Sequence, residues 1–272
     1  MSFWIVVAVA FLVAGWIAFE PRLVAMRRAR LRARTFPPAW REILRRRVPL
    51  SRRLPPGLHR QLLGHIQVFL AEKPIVGCDG LEVTDEMRVT IAAHACLLLL
   101  NRPDHYYPRL AQVLVYPGPF VAERPRRDAI GLVHDDSRVL SGESWAHGQV
   151  ILSWPDVVEG AAVADDGRNV VIHEFAHQLD QEKGHANGAP ELAGFQRHPQ
   201  WSRVLGQEYG ALVERLRLGE AVLLDPYAAT NPAEFFAVCS EVFFEQPQRL
   251  AAEHPALYAE LGRCYRVDPL AW

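Results

Sequence analysis

Two histidines four residues apart constrain this chain more than any other feature of its sequence. His173 and His177 enclose Glu174 within the segment 169–180, which reads Asn-Val-Val-Ile-His-Glu-Phe-Ala-His-Gln-Leu-Asp. If this segment is a helix, residues i and i+4 lie on one face, so both imidazoles can bind the same metal ion. Glu174 would then lie beside the ion without binding it. The spacing therefore predicts a helix that carries a metal site.

This H-E-x-x-H pattern is typical of zinc-dependent peptidases. In such sites zinc lowers the pKa of a bound water toward about 7, and the glutamate takes a proton from the water as it attacks a carbonyl carbon. We therefore expect one Zn²⁺ per chain, with His173 and His177 as ligands and Glu174 as general base. The alternative is a helix with half-buried histidines and a glutamate in salt bridges, which explains neither the spacing nor the position of the acid.

A catalytic zinc site needs a third protein ligand. A third histidine in the extended pattern is absent, because Asp180 and Lys183 occupy the positions where that pattern has glycine and histidine. We therefore expect a downstream acid, and we favour Glu234, which opens a densely apolar segment. The same glutamate has a second explanation, since Asn231, Pro232 and Glu234 resemble a helix-capping start. The candidate acids are Glu208, Glu214, Glu234, Glu241 and Glu245.

Three further side chains are candidates for the same site. Glu241 follows Glu234 by seven residues, shares its helix face and could orient a ligand histidine. Tyr227 precedes Glu234 by seven residues, and its hydroxyl could donate to the oxyanion of a tetrahedral intermediate, although simple packing also explains a tyrosine after Asp-Pro. Asp180 could either hydrogen-bond a ligand histidine or end the helix before Gly184.

The pattern of the remaining chain predicts an α+β fold that is mostly helical with a small sheet. Helical spacing begins at Gly57, and Thr84 should cap a second helix that is buried nearly all round. The run Ala111–Tyr116 and the run Gln149–Trp154 are predicted strands. The second of these could be an edge strand that binds an extended peptide, or an ordinary core strand. Further helices are expected near 168–183, 200–217, 231–246 and 255–264.

The N-terminal region predicts attachment to a membrane. Residues 2–19 contain no charge, which is close to the shortest length that spans a bilayer as a helix. Residues 21–60 carry 13 arginines against one acid, so the positive-inside rule predicts a single-pass protein of the cytoplasmic membrane with its catalytic domain in the cytoplasm. We expect no direct binding of nucleic acid, because this basic segment follows an apolar helix and has few aromatic residues for base stacking. The predicted organisation is a transmembrane anchor (1–20), a basic proline-interrupted linker (21–56) and a peptidase domain (57–272).

Four separate blocks together resemble one known family, the Mlc titration factor A family of zinc peptidases. The blocks are 81–93, 142–145, 173–180 and 227–238, and the similarity spans residues 36–272. The resemblance implies a zincin fold akin to the catalytic domain of anthrax lethal factor, peptidase activity, and binding to a transcriptional repressor of the glucose system.

The resemblance also implies roles for individual residues. His173, His177 and Glu234 match the metal ligands of the family, Glu174 matches its general base, and Tyr227 matches its transition-state tyrosine. The leading hypothesis is therefore a zinc metallopeptidase that hydrolyses peptides or proteins. The alternative is a regulatory binding protein that sequesters a transcriptional repressor, with hydrolysis incidental.

Overall fold

A computed structural model describes residues 2–102, 105–127, 133–140, 142–145, 148–192 and 198–272. Its helices are α1 (Ser2–Arg32), α2 (Pro38–Arg47), α3 (Pro56–Glu72), α4 (Asp85–Leu97), α5 (Trp154–Ala162), α6 (Val170–Asp180), α7 (His198–Arg217), α8 (Pro232–Glu245), α9 (Pro247–Glu253) and α10 (Pro255–Tyr265). Its strands are β1 (Ile75–Gly77), β2 (Gln112–Tyr116), β3 (Phe120–Arg127), β4 (Val133–Leu140), β5 (Gly142–Trp145) and β6 (Gln149–Ser153). The fold is mostly helical with a small sheet, which agrees with the predicted α+β class.

The main sheet has the strand order β1-β2-β6-β5. The first three strands are parallel, and β5 runs antiparallel to β6, with Gly142 opposite Leu152 and Trp145 opposite Gln149. Strand β6 therefore lies between two neighbours, so the interpretation of this segment as an edge strand was wrong and β5 lies at the edge instead. Strands β3 and β4 form a separate antiparallel pair.

Helix α4 is the centre of the core, as its sequence predicted. Every residue from Val89 to Leu100 is buried, which requires apolar neighbours on all sides of the helix. Thr84 caps its N-terminus by accepting a hydrogen bond from the Met87 amide at 3.3 Å. Helix α6 packs against this core through Phe175, whose ring lies 4.8 Å from that of Tyr107 between centroids.

Asparagine side chains fix the starts of both helices that carry the predicted metal ligands. The Asn169 side chain accepts a hydrogen bond from the amide of Ile172 at the start of α6. At the start of α8, the Asn231 side chain accepts from the amides of Ala233 and Glu234 at 2.9 and 3.0 Å. The predicted capping start at Asn231 is therefore present, and it coexists with a functional position for Glu234, described below.

The arginine-rich end of α1 packs on the rest of the chain. Arg28 forms a two-point contact with the carboxylate of Glu72 in α3, at 2.9 and 2.8 Å, and its guanidinium lies 4.7 Å from the centre of the Tyr106 ring. Within the range predicted as a linker, several apolar side chains belong to the core; they are Phe36, Leu44, Val48, Leu50 and Leu54. The domain boundaries proposed from sequence stay predictions.

The predicted membrane anchor is contradicted. Among the helices of the described residues, none combines the length and the apolar character that crossing a bilayer requires. The uncharged residues 2–19 do not form a separate helix: α1 continues through Glu20 and Pro21 into an arginine-rich half that ends at Arg32, so the helix as a whole is not uniformly apolar. The prediction of a single-pass protein of the cytoplasmic membrane was therefore wrong, and the prediction of the membrane as a partner through residues 2–19 is not supported.

We expect Phe175→Ala to lower the free energy of unfolding by about 3–5 kcal/mol, because it leaves a cavity between α6 and the core. The side chain of Phe175 is fully buried and contacts the rings of Phe69 and Tyr107. Urea unfolding followed by circular dichroism measures the change. Val213→Ala, at a position that is 41% exposed, is the control and should stay within about 0.5 kcal/mol of the parent chain. A loss below about 1 kcal/mol for Phe175→Ala would contradict this description of the core.

Candidate metal centre

The structure brings three of the predicted residues to one point. The Nε2 atom of His173 lies 3.0 Å from Oε2 of Glu234, and the Nε2 atom of His177 lies 3.1 Å from the same oxygen. These ligand atoms all lie within 4.8 Å of one another, and they form the one such group of histidine, cysteine, aspartate and glutamate found in the described residues. The histidines come from consecutive turns of α6 and the glutamate from the first turn of α8.

The donor set fits a single metal ion. Two imidazole nitrogens and one carboxylate oxygen are ligands that transition-metal ions bind well. Tetrahedral ligands at about 2.0–2.2 Å from an ion lie roughly 3.3 Å from one another. The observed separations of 3.0 and 3.1 Å from Glu234 to His173 and His177 are close to that spacing. The donor atoms of His173, His177 and Glu234 are therefore of the right kind, and close enough together, to hold one metal ion.

Glu241 lies directly behind His173, as the sequence predicted. Its Oε1 atom is 2.7 Å from Nδ1 of His173, and its Oε2 atom accepts a hydrogen bond from the Asn169 amide at 2.5 Å. A carboxylate in this position fixes the ring orientation and leaves Nε2 available for a metal. Glu241 therefore connects His173 to the first residue before α6.

The two sides of the site carry complementary charge. Burial by itself would lower the pKa of His173, but the charge of Glu241 and the hydrogen bonds to Glu234 and Glu241 outweigh it, so this pKa is raised well above its ordinary value. Burial by itself would raise the pKa of Glu234, but hydrogen bonds from His173 and His177 outweigh it and lower this pKa. Glu234 is therefore ionised at neutral pH, which is the form that binds a cation.

Glu174 and Tyr227, the two predicted catalytic residues, belong to different elements of the structure. Glu174 follows His173 in α6 and is 4% exposed. Tyr227 belongs to a 3₁₀ turn, Pro226–Ala229, which Asp225 caps by accepting from the Tyr227 amide at 2.9 Å. The ring of Tyr227 lies 6.1 Å from that of His173 between centroids, and the tyrosine is 47% exposed. Tyr227 is therefore beside His173 and partly open to solvent, and its predicted role in catalysis stays a prediction.

Asp180 ends α6, which is one of the two interpretations left open by the sequence. Its carboxylate accepts hydrogen bonds from the amides of Gly188 and Ala189 at 2.7 and 2.8 Å. Gly188 has a φ of +77°, and a Cβ atom there would lie 2.4 Å from the carbonyl oxygen of Pro232. The loop that Asp180 holds therefore lies against the first turn of α8, two residues from Glu234.

The other candidate acids lie elsewhere. Glu208 contacts His254 at 2.8 Å, and Glu214 contacts Arg217 at 2.7 Å on the surface of α7. Glu245 accepts hydrogen bonds from the backbone in front of α6, a role that the sequence analysis did not predict. The sequence did contain a signal for this role of Glu245. The spacing of Glu234, Glu241 and Glu245 by seven and four residues places all three on one face of α8.

The family model described as glucose-regulated metallo-peptidase M90 matches residues 23–266. This chain belongs to that family. The resemblance drawn from the four sequence blocks is thereby confirmed at the level of the family, and the histidine–glutamate group lies inside the matched region. As a member of a metallo-peptidase family, this chain is expected to use a metal ion, and its described residues offer the group of His173, His177 and Glu234 for that ion.

Curated relatives agree with this assignment. This chain is 38% identical over 267 residues to the uncharacterized protein slr2042 of Synechocystis, covering 98% of this chain and 97% of the relative. It is 39% identical over 227 residues to Mlc titration factor A of Pectobacterium atrosepticum, covering 82% and 84%. It is 37% identical over 239 residues to Mlc titration factor A of Klebsiella pneumoniae, covering 85% and 86%. The similarity thus extends over most of each relative.

We expect Gly188→Ala to lower the free energy of unfolding by about 2 kcal/mol or more, because an alanine there is strained at positive φ and presses on Pro232. Thermal or urea unfolding measures the loss. Gly206→Ala is a matched control of opposite sign: Gly206 lies in α7 with open space around its Cβ position, so alanine should raise stability by about 0.5–1 kcal/mol. Equal effects of the two substitutions would show that the loop does not lie against α8 as described.

Proposed function

We propose that this chain is a zinc-dependent peptidase in which His173, His177 and Glu234 hold one zinc ion. The observation that carries the proposal is the convergence of two imidazole nitrogens on one carboxylate oxygen, at 3.0 and 3.1 Å, on a helix that also presents Glu174. Imidazole with a carboxylate, in the H-E-x-x-H arrangement, is the ligand set of zinc peptidases. Membership of the M90 family supports the same reading.

In this proposal each side chain has one task. When bound, zinc supplies Lewis acidity that activates a water molecule and polarises the scissile carbonyl. Glu174 takes a proton from the attacking water and passes it to the leaving amine, so that a carboxylic acid and an amine are released. The Tyr227 hydroxyl donates a hydrogen bond to the oxygen that gains negative charge. Glu241 holds the His173 ring in the tautomer whose Nε2 faces the metal.

The backbone of β5 offers a place for an extended peptide. This strand is at the edge of the described sheet, pairs with β6 on one side, and lies next to α6. An edge strand can pair with an incoming peptide through main-chain hydrogen bonds, which recognise a peptide of any sequence. The proposed substrate class is therefore a peptide or an extended protein segment.

We expect the purified chain to bind one zinc ion and to hydrolyse peptides. Glu174→Gln should keep the zinc and lose about 10²–10⁴-fold in kcat, because the amide cannot accept the proton from water. Glu234→Ala should lose both, because one of three ligands is removed. Metal analysis together with cleavage of a fluorogenic peptide library measures each property. Loss of zinc in Glu174→Gln, or full zinc occupancy in Glu234→Ala, would contradict the assigned roles.

The names of the relatives support a second candidate, a regulatory binding protein. Several proteins 34–39% identical to this chain are named Mlc titration factor A, which indicates an interaction with the Mlc repressor. In this second proposal the chain sequesters a transcriptional repressor of that kind, and hydrolysis is incidental. The two candidates are compatible, because peptide cleavage needs the metal centre whereas a binding surface does not.

Glu174→Gln separates the two candidates. We expect this variant to bind purified Mlc with a Kd within about threefold of the parent chain, because the substitution changes one buried group that is 4% exposed. Titration calorimetry with Mlc measures both affinities. Absence of binding by the parent chain would remove the second candidate and leave the peptidase proposal intact.

A further inference from the structure

One face of α8 carries three acids that all contact the metal helix or the residues before it. Glu234, Glu241 and Glu245 are separated by seven and four residues, so at 100° per residue they lie within a sector of about 40°. Glu234 reaches the two Nε2 atoms, and Glu241 reaches Nδ1 of His173. Glu245 is the third acid of this row, and the chemistry proposed above gives it no part.

Glu245 holds the backbone that leads into α6. Its Oε2 atom accepts hydrogen bonds from the amides of Gly167 and Arg168, both at 3.1 Å. Its Oε1 atom accepts from the Asn169 side-chain amide at 3.1 Å. The residue is 1% exposed, so these three donors replace water for a buried carboxyl group. Three successive residues before the helix are therefore attached to one side chain of α8.

The backbone approaches α8 closely enough to make this attachment specific. Gly167 has a φ of +80°, and a Cβ atom there would lie 3.1 Å from Cγ2 of Val242. On the opposite side, the Asn169 side-chain amide also contacts the carbonyl oxygen of Gly160 at 3.3 Å. The segment 167–169 is thus enclosed between α5 and α8, and Glu245 is its polar partner on the α8 side.

Asn169 links this attachment to the metal centre. Its backbone amide donates to Glu241, which holds His173, and its side-chain oxygen caps α6 at Ile172. A displacement of Asn169 would therefore move the cap of α6 and the carboxylate behind His173 together. Since metal ligands must be held within a few tenths of an ångström, a partner that fixes Asn169 also fixes the ligand set.

We propose that Glu245 is a positioning residue of the metal centre, which acts through Asn169 to hold the start of α6 in register with Glu234 on α8. This inference rests on the proposed function, because it gives Glu245 a task only if His173, His177 and Glu234 bind a metal. A positioning role for Glu245 differs from a purely structural role in one respect. Loss of Glu245 must weaken zinc binding by the folded chain, in addition to any loss of stability.

The test compares zinc dissociation constants, measured by competition with a chelator on folded protein. Glu245→Met keeps the size of the side chain and removes both acceptor oxygens, and we expect its zinc Kd to rise about tenfold. Glu245→Gln keeps one acceptor oxygen and should lie between Glu245→Met and the parent chain. Amide hydrogen exchange of the metal-free chain is a second measurement. Amides in the first turn of α6 should exchange faster in Glu245→Met than in the parent chain.

Asn169→Ser tests the same link without removing the buried acid. Serine is as good a helix cap as asparagine, so the cap at Ile172 can be kept, whereas the side-chain amide that donates to Glu245 and to the Gly160 carbonyl is lost. We expect a zinc Kd about threefold to tenfold above that of the parent chain. If Asn169 acted only as a cap, the substitution would leave zinc affinity unchanged, so this variant decides the question even if Glu245→Met does not fold.

Ser240→Ala is the matched control. Ser240 lies on α8 and is fully buried; it accepts a hydrogen bond from the Tyr265 hydroxyl at 2.6 Å, away from the metal site. Loss of this hydrogen bond in Ser240→Ala should lower the free energy of unfolding and leave the zinc Kd within about twofold of the parent value. Zinc affinities within twofold of the parent in folded Glu245→Met and in Asn169→Ser would overturn the inference alone. A parent chain that binds no zinc would overturn the proposed function and this inference with it.

Discussion

The contact between α6 and α8 is the interaction on which the candidate site depends. Helix α6 supplies two histidines and helix α8 supplies the carboxylate between them, so neither helix contains a site by itself. The two helices meet through acids facing nitrogen donors, since Glu234 faces both Nε2 atoms and Glu241 faces His173 and the Asn169 amide. Buried carboxylates are unfavourable without such partners. The same contacts that satisfy these acids therefore set the register between the helices.

Both ends of α6 are fixed against α8 by different chemistry. At the N-terminal end, Glu245 accepts hydrogen bonds from the amides of Gly167 and Arg168, the two residues before the cap of the helix. At the C-terminal end, Asp180 binds the loop at Gly188, which lies against Pro232. A short helix of 11 residues would fray at both termini if it were isolated. Its histidines have defined positions because tertiary contacts hold both termini.

The basic N-terminal segment is integrated into the fold to a degree that its composition did not suggest. Thirteen arginines against one acid in residues 21–60 are typical of a solvated or membrane-surface tail. In the structure, Arg28 instead pairs with Glu72 and covers the Tyr106 ring, while the apolar residues between the arginines enter the core. Long arginine side chains can cover apolar surface while their charges are paired, so net charge alone did not distinguish a tail from a packed helix.

The sequence by itself determined the features that depend on one or two turns of chain. These are the placement of His173 and His177 on one face, the caps at Thr84 and Asn231, and the burial of α4, because periodicity and capping act over three or four residues. The sequence named Glu234 and Glu241 among several candidate acids, and only the tertiary structure decided that these two reach His173 from 61 and 68 residues away. It also decided that β6 lies inside the described sheet with β5 at one of its edges, and that Glu245 contacts the backbone before α6. The spacing of residues in the sequence indicates which side chains lie on the same face of a helix. Which element packs against that face depends on the packing of the whole core.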